Sequence, residues 1–367
     1  MKRFWIYAVL FISLVGCVAH NATTNPPGYP APLQTEPTPE YEVYKRHQRV
    51  IFDTFDTLII VMGYAQSDEE FSRWAGIIED ELRWLHVLFD IYNDYEGINN
   101  LKTINDNAGI VPIEVNAAVI DLLIFAQQAY QDSGGVVNVA LGSVLCIWSR
   151  YRQDGIVSPE AAVLPSMESL QAASAHTSID DIVIDLENAT VFLRDSEMSL
   201  DVGALAKGFA IHSAMELAQA EGFFSGLINA GGDVIVIGAP MSERDYWAVG
   251  VRDPASLDAD SMYDVLHITG DMAVATSGSN QRFFVVDGMN YNHIIDPDTL
   301  MPADSHASVT VIHPDARVAE MLSTAAFILP QDEGERLLTS FGAEGIWISS
   351  DGSFVFTRGY VLLSRNF

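Results

Sequence analysis

Cysteine is nearly absent from this chain: Cys17 and Cys146 are the only two in 367 residues, which excludes a disulfide framework. Positive charge is scarce as well. Only 19 Lys and Arg stand against 49 Asp and Glu, a formal net charge of −30, and the basic residues form no stripe. A phosphate backbone would be repelled, which argues against nucleic acid as a partner. Neither a GxxxxGK[ST] loop nor a GxGxxG fingerprint is present, no internal repeat is found, and beyond the N-terminus there is no further hydrophobic span. Any small anionic ligand must be received by a local device, such as a metal ion, backbone N–H groups or a placed cation. Apolar residues are abundant, at 49%, and suffice for a buried core.

The N-terminus, MKRFWIYAVLFISLVGCVAH, sets Lys2 and Arg3 before an apolar run from Phe4 to Val15. That run is too short for a full membrane span and fits a secretory signal. Leu14-Val15-Gly16-Cys17 resembles the bacterial lipobox, in which the preceding segment is removed and the Cys17 thiol is lipidated. An ordinary signal peptide with an incidental cysteine is the other reading. Residues 20–40 carry repeated prolines and suit an extended tether. The expected organisation is a lipoprotein signal peptide over 1–16, a lipidated Cys17 and tether over 17–45, and a folded body over 46–367. This places the protein on the extracytoplasmic face of a bacterial cell membrane. Cys146, in an apolar stretch, reads as a small core residue.

Within the body, TLIIVMGYA (57–65) reads as a buried strand, and Ser67 with Glu70 makes a capping-box pattern ahead of an apolar stripe from Phe71 to Phe89. A second helix is predicted over about 116–131, a hairpin over 182–194 and a further helix over about 317–329. Strand-like runs follow one another from residue 225 with few helices between them. That order argues an α+β domain with mixed or antiparallel sheets, not a doubly wound one.

Five segments could carry chemistry. Asp201 to Gly208 (DVGALAKG) leads from a strand into a helix whose first N–H groups and dipole favour anions, and Lys207 adds a positive charge there. A solvated lysine beside packing glycines fits that segment equally well. Asn229 to Asp233 (NAGGD) lets backbone pass close to a ligand through Gly231 and Gly232, or is simply a tight turn. Thr276, Ser277 and Gly278 gather hydroxyls and an amide with Arg282 nearby, and His293 precedes an apolar pair in YNHIIDPDT, where a structural histidine is the usual case. Glu320 and Thr324, four apart on a predicted helix, share a face, and such oxygen donors suit Mg2+ better than zinc; a surface glutamate and a core threonine fit the same spacing.

Taken in order, these segments resemble the ApbE family of FAD:protein FMN transferases, also called flavin-trafficking lipoproteins. The likeness runs through DTLIIVMGYA, FDIYNDYEGINNLKTINDNAG, SGGVVNVALGSVLCIW, LDVGALAKGFA, NAGGDV, WAVGVRDP, AVATSG, HIIDPDT and AEMLSTAAF, from about residue 50 to 350. It implies a single ApbE-like, T-fold-related α+β domain that binds FAD and, with Mg2+, moves FMN onto a Thr or Ser hydroxyl of an acceptor flavoprotein, releasing AMP. By the same resemblance, the Ala204 carbonyl or its neighbour, Glu320 and Thr324 would hold the cation. Lys207, Thr276 and Ser277 would lie near the diphosphate. Tyr92, Asn138, Gly142 and Trp148 would belong to the flavin side, while Asp201, Gly232 and Asp233 would shape the nucleotide cleft. His293 would take the proton from the acceptor hydroxyl, with Lys207 assisting.

Three positions depart from the family pattern. Glu320 replaces the usual aspartate of the metal motif, Asn138 stands where many members have aspartate, and Leu300-Met301 replaces a glycine-containing turn. Water in place of the acceptor hydroxyl would make the same site an FAD pyrophosphatase. An impaired metal site would leave a lipid-anchored flavin-binding protein without turnover.

Overall fold

The computed structural model describes residues 43–256, 258, 261–280 and 282–367; Cys17, the signal segment and the tether through residue 42 lie outside the described residues. In chain order the elements are β1 (Lys45–Thr54), β2 (Thr57–Ala65), α1 (Asp68–Phe89), α2 (Leu101–Asp106), β3 (Ile113–Glu114), α3 (Ala117–Asp132), α4 (Gly142–Val157) and α5 (Met167–Ser174). Next come β4 (Ile182–Asp185), β5 (Thr190–Leu193), α6 (Ala206–Ala220), β6 (Gly226–Ala230), β7 (Asp233–Ile237), β8 (Trp247–Arg252), β9 (Met262–Ile268) and β10 (Met272–Gly278). The chain ends with β11 (Phe283–Val286), β12 (Met289–Asn292), β13 (Ser308–His313), α7 (Ala316–Ile328), α8 (Gln331–Ser340), β14 (Glu344–Ile348) and β15 (Phe354–Phe356).

Eight strands form one sheet in the order β1-β2-β6-β7-β10-β13-β14-β15, every neighbouring pair antiparallel. Helices gather on one face, so the α+β expectation holds. Side-chain alternation along the central strands divides the interior into two layers. Ala273, Ala275, Val309 and Val311 face the helices and join Ala319, Leu322 and Ala326 of α7 in the main core. Their neighbours Val274, Ile312, Ile346 and Ile348 face the other way and pack against Trp247, Val249 and Leu266 of the β8–β9 hairpin. A third cluster ties α4 (Val144, Trp148) to Phe284, Val286, Ile295 and Leu300. Among the described residues, no helix is long and apolar enough to cross a membrane.

Local chemistry sets the element ends. Ser67 caps α1, its hydroxyl accepting from Glu70 N, while the Glu70 carboxylate accepts from Gln66 N at 2.8 Å, one residue earlier than a simple capping box would place it. Asn116 caps α3, its side-chain oxygen accepting from Ala118 N at 2.9 Å. The 182–194 hairpin and the 57–65 strand form as predicted. Two expectations are corrected. Cys146 is exposed on α4, because the apolar stretch around it is one face of a helix and the cysteine falls on the other. The segment before α6 is not a strand: between β5 and α6 the only ladder contact among the described residues is an isolated parallel bridge between Leu141 and Ser199.

The β2–β6 pairing shows how tightly the first layer is built. Gly63 and Gly226 face each other across the ladder with the Phe223 ring laid over both. A methyl at Gly226 would sit 2.1 Å from Phe223 Cζ and 2.6 Å from the Met62 carbonyl oxygen, and the second is backbone that cannot rotate away. Gly226→Ala is expected to cost about 1–3 kcal/mol through overpacking, read as a lower midpoint in urea with an unchanged slope. A midpoint equal to wild type would show that the ring and strand relax freely.

Candidate functional site

One cavity of about 430 Å³ opens among the β1–β2 turn, the segment after α1, the loop leading into α4, the start of α6, β7, β10 and α7. It collects most of the residues singled out in the sequence. Tyr92, Asn138, Trp148, Asp201, Ala204, Lys207, Asp233, Thr276, Ser277, His293, Glu320 and Thr324 all line it. Gly142 and Gly232 do not. Gly142 lies where a side chain would strike the Ser199 carbonyl oxygen at 2.3 Å, and Gly232 completes the turn into β7 with φ +108°, beside the lining residue Gly231.

At one end of the cavity Lys207 lies between two carboxylates. Its ammonium pairs with Asp233 Oδ2 and with Glu320 Oε1, the latter at 2.6 Å, and both acids are buried, at 7% and 5% side-chain exposure. Glu320 Oε2 accepts from Gly208 N at 2.7 Å, so α7 caps the first turn of α6 with a charged side chain. Gly208 makes this approach possible: a Cβ there would lie 2.5 Å from the Ala316 carbonyl oxygen and 2.9 Å from Glu320 Cβ. Asp233 Oδ1 accepts from Thr276 N at 3.1 Å and so ties β7 to β10. Burial alone would push the Lys207 pKa down, but the charges of Asp233 and Glu320 outweigh it and the net shift is upward. For Glu320, burial is the largest influence and raises the carboxyl pKa, with Lys207 opposing.

Hydroxyls adjoin this triad. Ser277 Oγ lies 3.0 Å from Ser323 Oγ and 3.4 Å from Thr324 Oγ1, and Thr276 Oγ1 lies 2.8 Å from Thr310 Oγ1. Among the described residues no group of three or more His, Cys, Asp or Glu side chains is arranged to hold a metal. The oxygen set still fits a hard cation by charge and type. Two buried carboxylates share one ammonium, which leaves the pocket negative, and Thr324 offers a further oxygen one turn from Glu320. Both Glu320 oxygens are engaged by donors here, so a cation would have to share or displace Lys207.

The opposite end is aromatic and cationic. Trp148 is buried and donates from Nε1 to the Leu300 carbonyl at 2.9 Å; Tyr92 is 63% exposed. Leu300 takes φ +60°, the left-handed backbone a glycine would adopt readily, and is held there by packing in the Trp148 cluster and by donating its N–H to Asp296 O at 2.8 Å. The missing glycine is thus a strained leucine that supports the indole. Asn138 is spent locally, accepting from Ala140 N at 2.9 Å and donating to Thr177 O at 3.0 Å. It shapes the wall and brings no charge to it. The β1–β2 turn carries Phe55 and Asp56 at φ +52°, as a two-residue hairpin turn of this type requires, and presents Phe55, Asp56 and Thr57 to the cavity.

His293 stands between the two ends. Burial, then the charges of Arg282 and Arg152, push its pKa down to about 4, and Nδ1 is buried without a hydrogen-bond partner among the described residues. Asp201 accepts from Gly203 N at 2.9 Å, and burial raises its pKa. Among the lining residues that were not assigned from sequence are Arg152 and Ser323. Arg152 lies one turn beyond Trp148, and that i, i+4 spacing on an otherwise mixed helix was the signal available; Ser323 carried none.

The sequence model of the ApbE family matches residues 52–347. The FAD:protein FMN transferase of Treponema pallidum is 31% identical over 265 residues, covering 68% of this chain and 71% of that one. The FAD:protein FMN transferase of Klebsiella pneumoniae is 31% identical over 248 residues, covering 66% and 73%. The crystal structure of the ApbE protein from Thermotoga maritima superposes with a TM-score of 0.76 at 27% identity, covering 88% of this chain and all 100% of the other. The flavin transferase ApbE of Vibrio cholerae, at 22% identity and a TM-score of 0.71, shares the fold across 87% of this chain.

Removal of the Lys207 ammonium leaves two buried acids facing each other. Lys207→Met is expected to cost about 3 kcal/mol or more near neutral pH. Without the cation nothing from Lys207 opposes the burial that already raises the Glu320 carboxyl pKa, so that pKa rises further, the folded form binds more protons and stability falls as pH rises. Urea unfolding should therefore show the variant regaining stability at pH 5 relative to pH 8. A deficit that is the same at both pH values would mean that the triad is not electrostatically coupled.

Proposed function

The chain belongs to the ApbE family and is an FAD:protein FMN transferase, and from that premise we propose how its residues divide the work. The hydroxyl oxygen of a Thr or Ser on the acceptor flavoprotein attacks the flavin-side phosphorus of FAD. The bond from that phosphorus to the bridging oxygen breaks, its electron pair leaves with AMP, and the hydroxyl proton passes to His293. The observation that carries this reading is the placing of a neutral histidine, a hydroxyl cluster and a buried Lys207–Asp233–Glu320 triad around one cavity large enough for part of a dinucleotide.

Each residue then has a task. His293 is unprotonated at neutral pH because its pKa is depressed, which leaves the imidazole able to accept a proton. Ser277 and Thr276 would meet the phosphate oxygens, while the exposed Tyr92 would offer a flat face to the isoalloxazine and the buried Trp148 would back that wall. Lys207 holds Asp233 and Glu320 in register and limits the negative charge that a diphosphate meets. Mg2+ would be held by Glu320, Thr324 and the Ala204 carbonyl, where it would supply charge neutralisation to the phosphoryl oxygens. The lipobox supports attachment through Cys17 to the extracytoplasmic face of a bacterial membrane, close to membrane flavoprotein acceptors.

The test is incubation with FAD and Mg2+, with and without an acceptor, followed by chromatography for AMP and in-gel flavin fluorescence. AMP appearing together with a fluorescent acceptor is the expected result. AMP with free FMN would assign hydrolysis instead, and bound FAD without AMP would remove catalysis altogether. His293→Ala should bind FAD normally and lose transfer by about a hundredfold or more. In the wild type, the histidine charges only as pH falls toward about 4, so kcat/KM should hold between pH 6 and 8 with respect to this group. An acid limb centred near 6.5 that is absent from the alanine variant would refute the depressed basicity.

A further inference from the structure

Three permanent cations line the cavity, and one is already matched. Lys207 is paired with Asp233 and Glu320, so the pocket around it carries more negative than positive charge. Arg152 and Arg282 line the same cavity, and neither makes an ion pair within 4.0 Å among the described residues. The hydrogen bond of the Arg152 guanidinium is long, Nη2 to Ser149 Oγ at 3.4 Å. The two guanidiniums also feel each other. Burial first, and the Arg282 charge second, push the Arg152 pKa down. Asp201 is an acid that both influence, and burial drives its own pKa up, toward the neutral form.

Arg152 is half-buried and Arg282 exposed on the same cavity, and two like charges close enough to act on one another repel, a repulsion that an anion seated between them would relieve. Arg152 stands one helical turn from Trp148, and its charge reaches Tyr92, so the anion belongs at the flavin end of the cavity. A guanidinium fork matches two phosphate oxygens at once, which an ammonium cannot do.

We propose that Arg152 and Arg282 clamp the flavin-side phosphate of FAD and are the residues that select phosphorylated flavin, while Lys207 organises the two carboxylates and does not serve as the principal phosphate cation. This assignment rests on the flavin-transferase reading of the site for its ligand, and on the unpaired charges for its chemistry. In the transfer step the same forks would receive the charge that gathers on the equatorial oxygens of the phosphorus under attack.

The test measures binding of FMN, riboflavin and inorganic pyrophosphate to the full protein by flavin fluorescence quenching and calorimetry, for wild type, Arg152→Gln, Arg282→Gln and the double variant. Wild type should prefer FMN to riboflavin, and each single change should cut FMN affinity about tenfold while leaving riboflavin affinity unchanged. The double variant should bind the two flavins equally and lose pyrophosphate. Arg152→Lys should recover only part of the preference, since it restores charge without the fork, and near-ultraviolet circular dichroism checks that the variants fold. If wild type binds pyrophosphate but no flavin, and the double variant loses pyrophosphate, the clamp stands and the flavin reading falls. If the double variant keeps the FMN preference, or wild type has neither that preference nor pyrophosphate affinity, the clamp is wrong.

Discussion

One ammonium group joins three parts of the chain that are far apart in sequence. Lys207 comes from the first turn of α6, Asp233 from the start of β7 and Glu320 from the second turn of α7, and the two acids are almost fully buried. Glu320 also caps α6 through Gly208 N, and Asp233 also receives Thr276 N from β10. Breaking the pairing would therefore loosen two helices and two strands at the point where they enclose the cavity. Buried ion pairs of this kind contribute little net stability relative to a well-packed apolar core, since desolvation offsets most of the attraction. What they supply is position, because a buried carboxylate left unpaired would be far worse than one held in place.

The same pairing divides the cavity electrically. Around Lys207 two acids outnumber one base, a region that favours a cation; the region of Arg152 and Arg282, which make no ion pair among the described residues, favours an anion. A diphosphate accompanied by a hard cation has both kinds of charge and can span both regions. The large negative charge of the whole protein then matters less than its sum suggests. Exposed charges more than about 8 Å away are screened at physiological ionic strength, whereas charges on the cavity wall act at close range with little water between.

Much of the scaffold was legible because it follows from periodicity and capping. The 57–65 strand, the Ser67 cap, the 182–194 hairpin and the helix carrying Glu320 and Thr324 all form where their patterns put them. The segments expected to carry chemistry converge because the family order of motifs encodes a topology, even though no single motif does. Other features depend on tertiary contacts that no local pattern reports. Cys146 sits in apolar sequence yet faces solvent, because α4 is packed on one side only. Lys207 read as a free cation at a helix start, and only the fold reveals that two acids claim it. Leu300 broke the expected glycine turn, and its tolerance of φ +60° makes sense once its packing beneath Trp148 is seen.

His293 links the two halves of this picture. Its pKa is held near 4 first by burial and then by the positive charges of Arg282 and Arg152, while a backbone hydrogen bond to Arg282 works in the other direction. An anion seated between those arginines would cancel much of their field at the imidazole. The histidine would then become more basic in the complex than in the free protein, and a stronger base is a better proton acceptor as long as it remains unprotonated at the working pH. With the ligand absent, the depressed value keeps the ring neutral and the empty cavity free of one more buried charge. On this arrangement the phosphate that is to be attacked also tunes the group that removes the proton from its attacker, so basicity rises at the moment when the hydroxyl and the phosphorus are both in place.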